Sequence, residues 1–223
     1  SVDENLVYIN DVEVYRPFLV RSGQQEGLSI INPDMVERVM FSPGGFEAKY
    51  GDKMSAVLDI TYHRPNKFGG KISGSLLGGS AYVEGTIKEK FTYSIGLRRH
   101  SNQYLLNTLD TEGDYTSAYT DMQTILTYKA SPKLDISFLG IYSKNKYGLV
   151  PQNQTTNFGN FFEAMQLRVY FDGQEIDEYT TMMGAVTFDY RPNENMQWKW
   201  ITSAYTTNES EVYDIQGQYW LYE

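Results

Sequence analysis

Apolar and polar residues alternate with period two over most of the chain, and helical periodicity is nearly absent. In residues 91–98, Phe91, Tyr93, Ile95 and Leu97 fall on one face and Thr92, Ser94, Gly96 and Arg98 on the other. Met122, Thr124, Leu126 and Tyr128 oppose Gln123, Ile125, Thr127 and Lys129. Leu134, Ile136, Phe138, Gly140 and Tyr142 oppose Asp135, Ser137, Leu139, Ile141 and Ser143. Met182, Gly184, Val186, Phe188 and Tyr190 oppose Thr181, Met183, Ala185, Thr187 and Asp189, and Met196, Trp198 and Trp200 oppose Gln197 and Lys199. Successive side chains of a strand point to opposite faces, so these segments are predicted strands with one apolar face and one small or polar face.

Two architectures satisfy that pattern. A soluble β-sandwich would turn the apolar face into a packed core. A transmembrane β-barrel would turn it to lipid, gather aromatics at the two interfaces and keep the inner face polar. Connection lengths favour the barrel. Residues 88–90, 131–133 and 191–195 read as tight turns, whereas about 20 residues separate Arg99 from Thr120 and about 30 separate Asn145 from Tyr179. Short turns alternating with long loops are expected when one end of a barrel is minimal and the other carries function. Phe91, Tyr128, Tyr190 and Trp198 lie close to short turns on the apolar face, where an interfacial girdle would place them. About seven such strands are predicted in residues 70–223.

Residues 1–69 follow another pattern. Leu6 to Tyr15 reads as two short strands about an Asn10-Asp11 turn. Asn32-Pro33-Asp34-Met35-Val36 reads as a helical turn with an N-cap and a proline at its start, feeding a strand from Val36 to Ser42. Pro43-Gly44-Gly45 and Tyr50-Gly51-Asp52 break the chain, and Ala56 to Thr61 reads as a short buried strand. This predicts a compact α+β unit that leaves through Arg64-Pro65-Asn66-Lys67 into a first barrel strand at Gly70 to Leu77.

Composition narrows the function. The 223 residues include 19 tyrosines, 11 phenylalanines and 3 tryptophans, 15% aromatic in all, which suits interfacial strands. The formal charge of −9 argues against nucleic acid as a partner, since phosphate binding needs a basic stripe. With no cysteine there is no disulfide, thiolate metal site or cysteine nucleophile. No run of about 18 apolar residues is present, so no transmembrane helix is predicted. Ser1 opens onto acidic residues and residues 213–222 read as a strand in progress, so the chain is expected to be part of a longer protein.

The segment from Asn32 and Pro33 through Glu37-Arg38, Pro43-Gly44-Gly45 and Tyr50-Gly51 to Asp59-Ile60 resembles the late plug domain of TonB-dependent outer-membrane receptors. Leu6 to Val14 is similar to the hairpin just upstream in that family, with Asn10-Asp11 in place of aspartate-glycine. Asp59 stands where asparagine is commoner. The resemblance implies a mainly β chain: residues 1–69 as the C-terminal half of an α+β plug, and residues 70–223 as the opening antiparallel strands of a transmembrane barrel of about 22 strands. It implies a Gram-negative outer membrane and active import of a scarce ligand (chelated iron, cobalamin, oligosaccharide or peptide). The implied partners are the TonB energy-transducing complex, outer-membrane lipid and a surface lipoprotein. A receptor-shaped barrel serving as scaffold or signal transducer, and a soluble all-β adhesin or carbohydrate-binding module, are the other readings.

No catalytic constellation, cofactor motif or metal-ligand set emerges. His63 and His100 are the only histidines, and no nucleophile motif accompanies them. Gly69-Gly70 and Gly78-Gly79 read as strand bends, because no phosphate-cradling helix follows. Asp110, Glu112 and Asp114, like Asp172, Glu175, Asp177 and Glu178, read as solvated acidic loop residues without an EF-hand register. Tyr104, Tyr115, Tyr119, Tyr147, Phe158, Phe161 and Phe162 are candidate ligand-facing loop aromatics. Arg16, Arg21, Arg38 and Arg64 are candidates to tie the plug to inner-face carboxylates such as Asp135 and Asp189.

Overall fold

The computed structural model describes residues 5–15, 30–44, 47, 50, 56–101, 113–159 and 164–222, with the backbone alone at 5, 113–115, 158–159 and 164. The described residues form twelve strands in two sheets and include no α-helix. The first sheet contains β1 (Asn5–Ile9), β2 (Val12–Glu13), β3 (Val36–Ser42) and β4 (Ala56–Tyr62), in the order β2-β1-β4-β3. Asn10 and Asp11 both adopt positive φ, as a two-residue hairpin turn matching strand twist requires. β1 then runs parallel to β4, and β3 antiparallel to it.

The expected helical content shrinks to one 3-10 turn, Pro33–Met35. The Asn32 side chain caps it by accepting from the Asp34 N–H at 3.1 Å. The extended Val36 ends it at once, its N–H closing onto the Pro33 carbonyl, because the β-branched, alternating run that follows pairs with β4 instead.

The second sheet contains β5 (Gly69–Ser75), β6 (Gly78–Ile87), β7 (Phe91–Ser101), β8 (Gly113–Ser131), β9 (Leu134–Pro151), β10 (Gln154–Gly159), β11 (Ala164–Asn193) and β12 (Met196–Tyr222). All its neighbours are antiparallel. Seven of these strands are the expected ones; β10 is additional and, among the described residues, pairs only with β11. The long loops also differ from expectation. β8, β9, β11 and β12 hold 19, 18, 30 and 27 residues, so much of the predicted loop sequence is strand, held by a ladder running from Gly113↔Pro151 and from Gln166↔Tyr222. Nor do short and long connections alternate strictly, since Leu76-Leu77 is a two-residue turn at the end opposite residues 88–90.

Register aligns the apolar positions into rows across six strands. Ile87, Phe91, Tyr128, Ile136, Phe188 and Trp200 stand side by side from β6 to β12. Two residues further on comes Gly85-Tyr93-Leu126-Phe138-Val186-Thr202, and later Ala81-Leu97-Met122-Tyr142-Met182-Thr206. This face is not sealed in a core: Tyr128, Phe138, Met182, Phe188 and Trp200 are 40–71% exposed. At about 3.3 Å per residue, the rows from Ile87 to Ala81 extend roughly 20 Å along the strands, within the roughly 25 Å of a barrel's apolar belt.

The opposite face differs from the polar, water-filled expectation where the first sheet covers it. Ile125, Leu139, Ile141, Met183 and Ala185 are buried there in one core with Val7, Ile9, Val12, Val14, Ile30, Met35 and Ile60. Apolar residues on the nominally polar face are therefore the landing surface of the four-stranded unit.

Candidate functional site

The densest polar geometry lies at the junction between the small sheet and the covered face of the large one. Its tightest point is Gly96 in β7. A β-carbon there would lie 2.9 Å from Met35 Sδ and closer still to Asn32 Nδ2, so the capped 3-10 turn rests directly on the β7 backbone. Asn32 and Met35 are fully buried at this contact.

Around it runs a polar network that the spacing of residues did not reveal. Tyr62, in β4, accepts from the Asn32 N–H at 3.0 Å and donates to Gln123 Oε1 at 2.7 Å. Burial pushes its phenol pKa up, which keeps it a neutral donor. Gln123 Nε2 in turn donates to the Ile30 carbonyl and to Asp121 Oδ2. Arg98 grips Asp121 through Nε and NH2 at 2.8 and 3.1 Å, while NH1 and NH2 donate to the carbonyls of Ile31 and Ile30 at 2.8 and 3.0 Å. Arg98 is thus a bracket between wall and turn, with its charge matched by a fully buried carboxylate.

The rim carries further ties. Asp34 accepts from Lys71 at 2.5 Å and from Ser80 at 3.2 Å, and His63 Nδ1 meets Glu84 Oε2 at 2.8 Å. Lys199 pairs with Asp11, and Tyr15 stacks on Tyr205 at 5.2 Å. Among the four candidate arginines, Arg64 pairs with Asp135 at 2.8 Å as expected. Arg38 instead reaches Thr61 Oγ1 at 3.4 Å within the small sheet, and Asp189 is taken by Arg191 and Gln197. Arg16 and Arg21 lie outside the described residues.

The remaining motif residues divide by role. Pro33 opens the turn; Glu37 and Arg38 are exposed beside the register shift between Val36 and Arg38. Pro43 is exposed, and Gly44 has φ +139° with open space where a β-carbon would stand. Tyr50 and Asp59 come together, the Tyr50 hydroxyl donating to Asp59 Oδ2 at 2.5 Å in a buried contact, and Tyr8 packs on the Tyr50 ring at 5.2 Å. Ile60 is fully buried. Gly45 and Gly51 lie outside the described residues.

The aromatic candidates among the described residues stand on strands rather than loops. Tyr119 (β8) and Tyr147 (β9) are both buried on the inner face. His100 stacks on Tyr119 at 5.4 Å, and the Arg98 guanidinium lies 5.8 Å from the same ring. Tyr115 and Phe158 have their backbones in β8 and β10, and Tyr104, Phe161 and Phe162 lie outside the described residues. A depression of about 210 Å³ opens beside this stack, lined by Ser73, Ser75, Ser80, Arg98, His100 and Tyr119 among others. That is less than the roughly 300–1,000 Å³ of a complete small-molecule site, so it is at most one corner of one. Among the described residues no acidic or imidazole cluster is arranged to hold a metal ion.

No protein-family model matches the chain, and no curated protein matches it. Solved structures similar to it include the FrpB iron transporter from Neisseria meningitidis, at 12% identity and a TM-score of 0.46 over 94% of this chain and 40% of that one. The siderophore receptor PirA from Pseudomonas aeruginosa is 14% identical with a TM-score of 0.44, covering 95% of this chain and 41% of that one. The ferric enterobactin receptor PfeA from the same organism is 11% identical with a TM-score of 0.44, covering 94% and 42%. The chain therefore spans about two fifths of the length of these structures, which are named as transport receptors rather than enzymes.

Proposed function

We propose that the chain is the late plug and opening barrel wall of a TonB-dependent receptor in a Gram-negative outer membrane, and that its function is active import of a ligand across that membrane. The observation that carries this reading is the division of the large sheet's two faces. At the level of residues 182–188 of β11, one presents continuous exposed apolar rows, and the other is polar except where the small sheet is docked. A soluble sandwich would bury the first face, whereas hydrocarbon is the solvent that suits it.

In this reading residues 1–69 are plug and residues 70–223 are wall. The docked turn at Gly96 and the Arg98–Asp121 bracket hold the plug in the pore. Further strands complete a barrel of about 22, since an open edge in lipid would cost several kcal/mol per unpaired backbone group. TonB supplies the pull that loosens the plug, and a surface lipoprotein is a partner at the outer end. The junction is made mostly of hydrogen bonds and ion pairs around a modest shared core, which suits a plug that must be released and reseated.

The test is depth-resolved lipid contact in the full-length protein reconstituted in bilayers. Single cysteines replacing Leu126, Phe138 and Val186 are expected to be reached by acyl-chain quenchers, and cysteines replacing Thr127 and Ser137 are not. Equal quenching of both sets, or of neither, rules the wall reading out.

A further inference from the structure

Above the docked unit, the inner face of β9, β11 and β12 gathers carboxylates with no lysine or arginine standing among them in the paired rows. One row across the sheet reads His100-Tyr119-Asn145-Tyr179-Glu209, and the next reads Ser117-Tyr147-Asp177-Glu211, followed by Glu175 beside Tyr213. Asn145 is 3% exposed, and its Oδ1 has no hydrogen-bond partner among the described residues. Diagonal to it, Asp177 is 8% exposed and receives no hydrogen bond or ion pair from the described residues. Among them, Glu211 accepts only from the Tyr179 hydroxyl, at 3.0 Å. The lysines of this stretch do not help: Lys144 and Lys146 point to the other face, where both reach Glu178.

A buried amide oxygen that goes unanswered is costly to keep unless something else brings a donor, and the Asp177 carboxylate beside it is left to solvent. We propose that this wall, formed by Asn145, Glu175, Asp177, Tyr179 and Glu211, recognises a positively charged nitrogen, a primary ammonium or guanidinium, on the ligand. The inference rests on the import reading above and names the substrate class of that site: an organic cation of the basic-peptide kind. Charge decides between this and a neutral polyol. Burial first, and then repulsion from neighbouring carboxylates, Asp177 and Glu211 for Glu175 and Glu211 for Asp177, hold both carboxyls above their ordinary range. A cation relieves that repulsion, while hydroxyl groups satisfy acceptors without relieving it. The acidic groups are strung along two strands instead of converging, so an extended cation fits better than a bare metal ion. The chain's charge of −9 favours the same class of ligand.

The test uses the purified full-length receptor in non-ionic detergent, titrated calorimetrically with trilysine and, separately, maltotriose. Trilysine is expected to bind saturably, at least tenfold more weakly to the Asp177→Asn/Glu211→Gln double variant, and unchanged to Glu178→Gln, which alters only the outer face. Maltotriose is expected not to bind. No saturable trilysine binding, equal loss in Glu178→Gln, or maltotriose binding that the double variant abolishes would each overturn the proposal. The lipid-quenching pattern is read in parallel on the bilayer-reconstituted single-cysteine proteins: the expected quenching with failed binding sinks this inference alone, whereas failure of the expected quenching sinks the import reading itself.

Discussion

The Arg98 guanidinium forms a two-pronged ion pair with Asp121 on the neighbouring strand, while its remaining N–H groups hold the Ile30 and Ile31 carbonyls of the docked unit. One side chain therefore belongs to the wall by charge and to the small sheet by hydrogen bonding. Its partner carboxylate is fully buried and also accepts from Gln123, so the pair is hydrogen-bonded on several sides, the condition under which a buried ion pair is tolerated.

Removing one member should cost more than removing both. Arg98→Met leaves Asp121 as an unmatched buried charge and is expected to destabilise the assembled protein by about 3–5 kcal/mol. The Arg98→Met/Asp121→Leu pair is expected to lose clearly less than the sum of the two single changes. Urea unfolding in lipid vesicles, run as a double-mutant cycle, checks this; additive losses would show that the pair is not a unit.

Gly96 offers a separate handle on docking. Valine there drives its side chain into Asn32 and Met35 without touching any charge. Hydrogen exchange at residues 32–36 is expected to quicken at least tenfold in Gly96→Val, with little change in the outward strand rows. Unaltered exchange at the turn would mean that the unit does not rest on β7.

How much of this was legible beforehand depends on the range of the interaction. The alternating faces of β7, β8, β9 and β11 could be read directly, because side-chain direction in a strand is a local property with period two. The Asn10-Asp11 turn and the Asn32-Pro33 cap were readable for the same reason. The bracket was not: Arg98 and Asp121 are 23 residues apart, and the carbonyls Arg98 holds are more than 60 residues from it. Apolar Ile125, Leu139, Ile141 and Met183 on the otherwise polar face were the available sign of a docking surface. The strand extensions were missed because Tyr, Thr, Asn and charged residues in the paired ends of β8 and β11 look like loop. There cross-strand pairing, not apolar burial, sustains the sheet.

The Tyr50–Asp59 hydrogen bond ties Tyr50 to β4, a central strand of the small sheet. Tyr50→Phe removes a donor from a buried carboxylate and is expected to cost about 1.5–3 kcal/mol. Asp59→Asn keeps an acceptor for the Tyr50 hydroxyl and is expected to cost less. Chemical denaturation of the two variants checks the order, and a larger loss in Asp59→Asn would contradict it.

Lys88 and Glu89 both adopt positive φ in the turn between β6 and β7, a conformation that disfavours ordinary side chains by roughly 1–2 kcal/mol each. The double substitution Lys88→Asn/Glu89→Gly installs the asparagine-glycine pair that this turn type prefers. It is expected to raise stability by about 1 kcal/mol or more without altering the faces of either strand. The same unfolding measurement reads it, and a loss of stability would mean that the turn conformation is misassigned.

Glu175 and Asp177, beyond the apolar rows, give a pH dependence whose sign is fixed. Both carboxyls are held above their ordinary range, burial being the first cause. Repulsion from Asp177 and Glu211 adds to the shift at Glu175, and from Glu211 at Asp177. The folded extension therefore binds protons more readily than the unfolded one. Its protonation-linked stability is fully present below the ordinary carboxylate range and is lost as pH rises through the raised folded values. Glu178 acts oppositely, lowered by Lys146 and Lys144, but that pair is exposed and weakened by salt. Hydrogen exchange in residues 174–180, corrected for intrinsic rates and measured at about 0.15 M salt, is expected to be slower at pH 5 than at pH 7.5. Asp177→Asn is expected to be already slow at pH 7.5 and nearly flat between the two. If the parent protein exchanges faster at pH 5, attraction to the lysines outweighs repulsion among the carboxylates, and the acidic wall is not under the electrostatic load described.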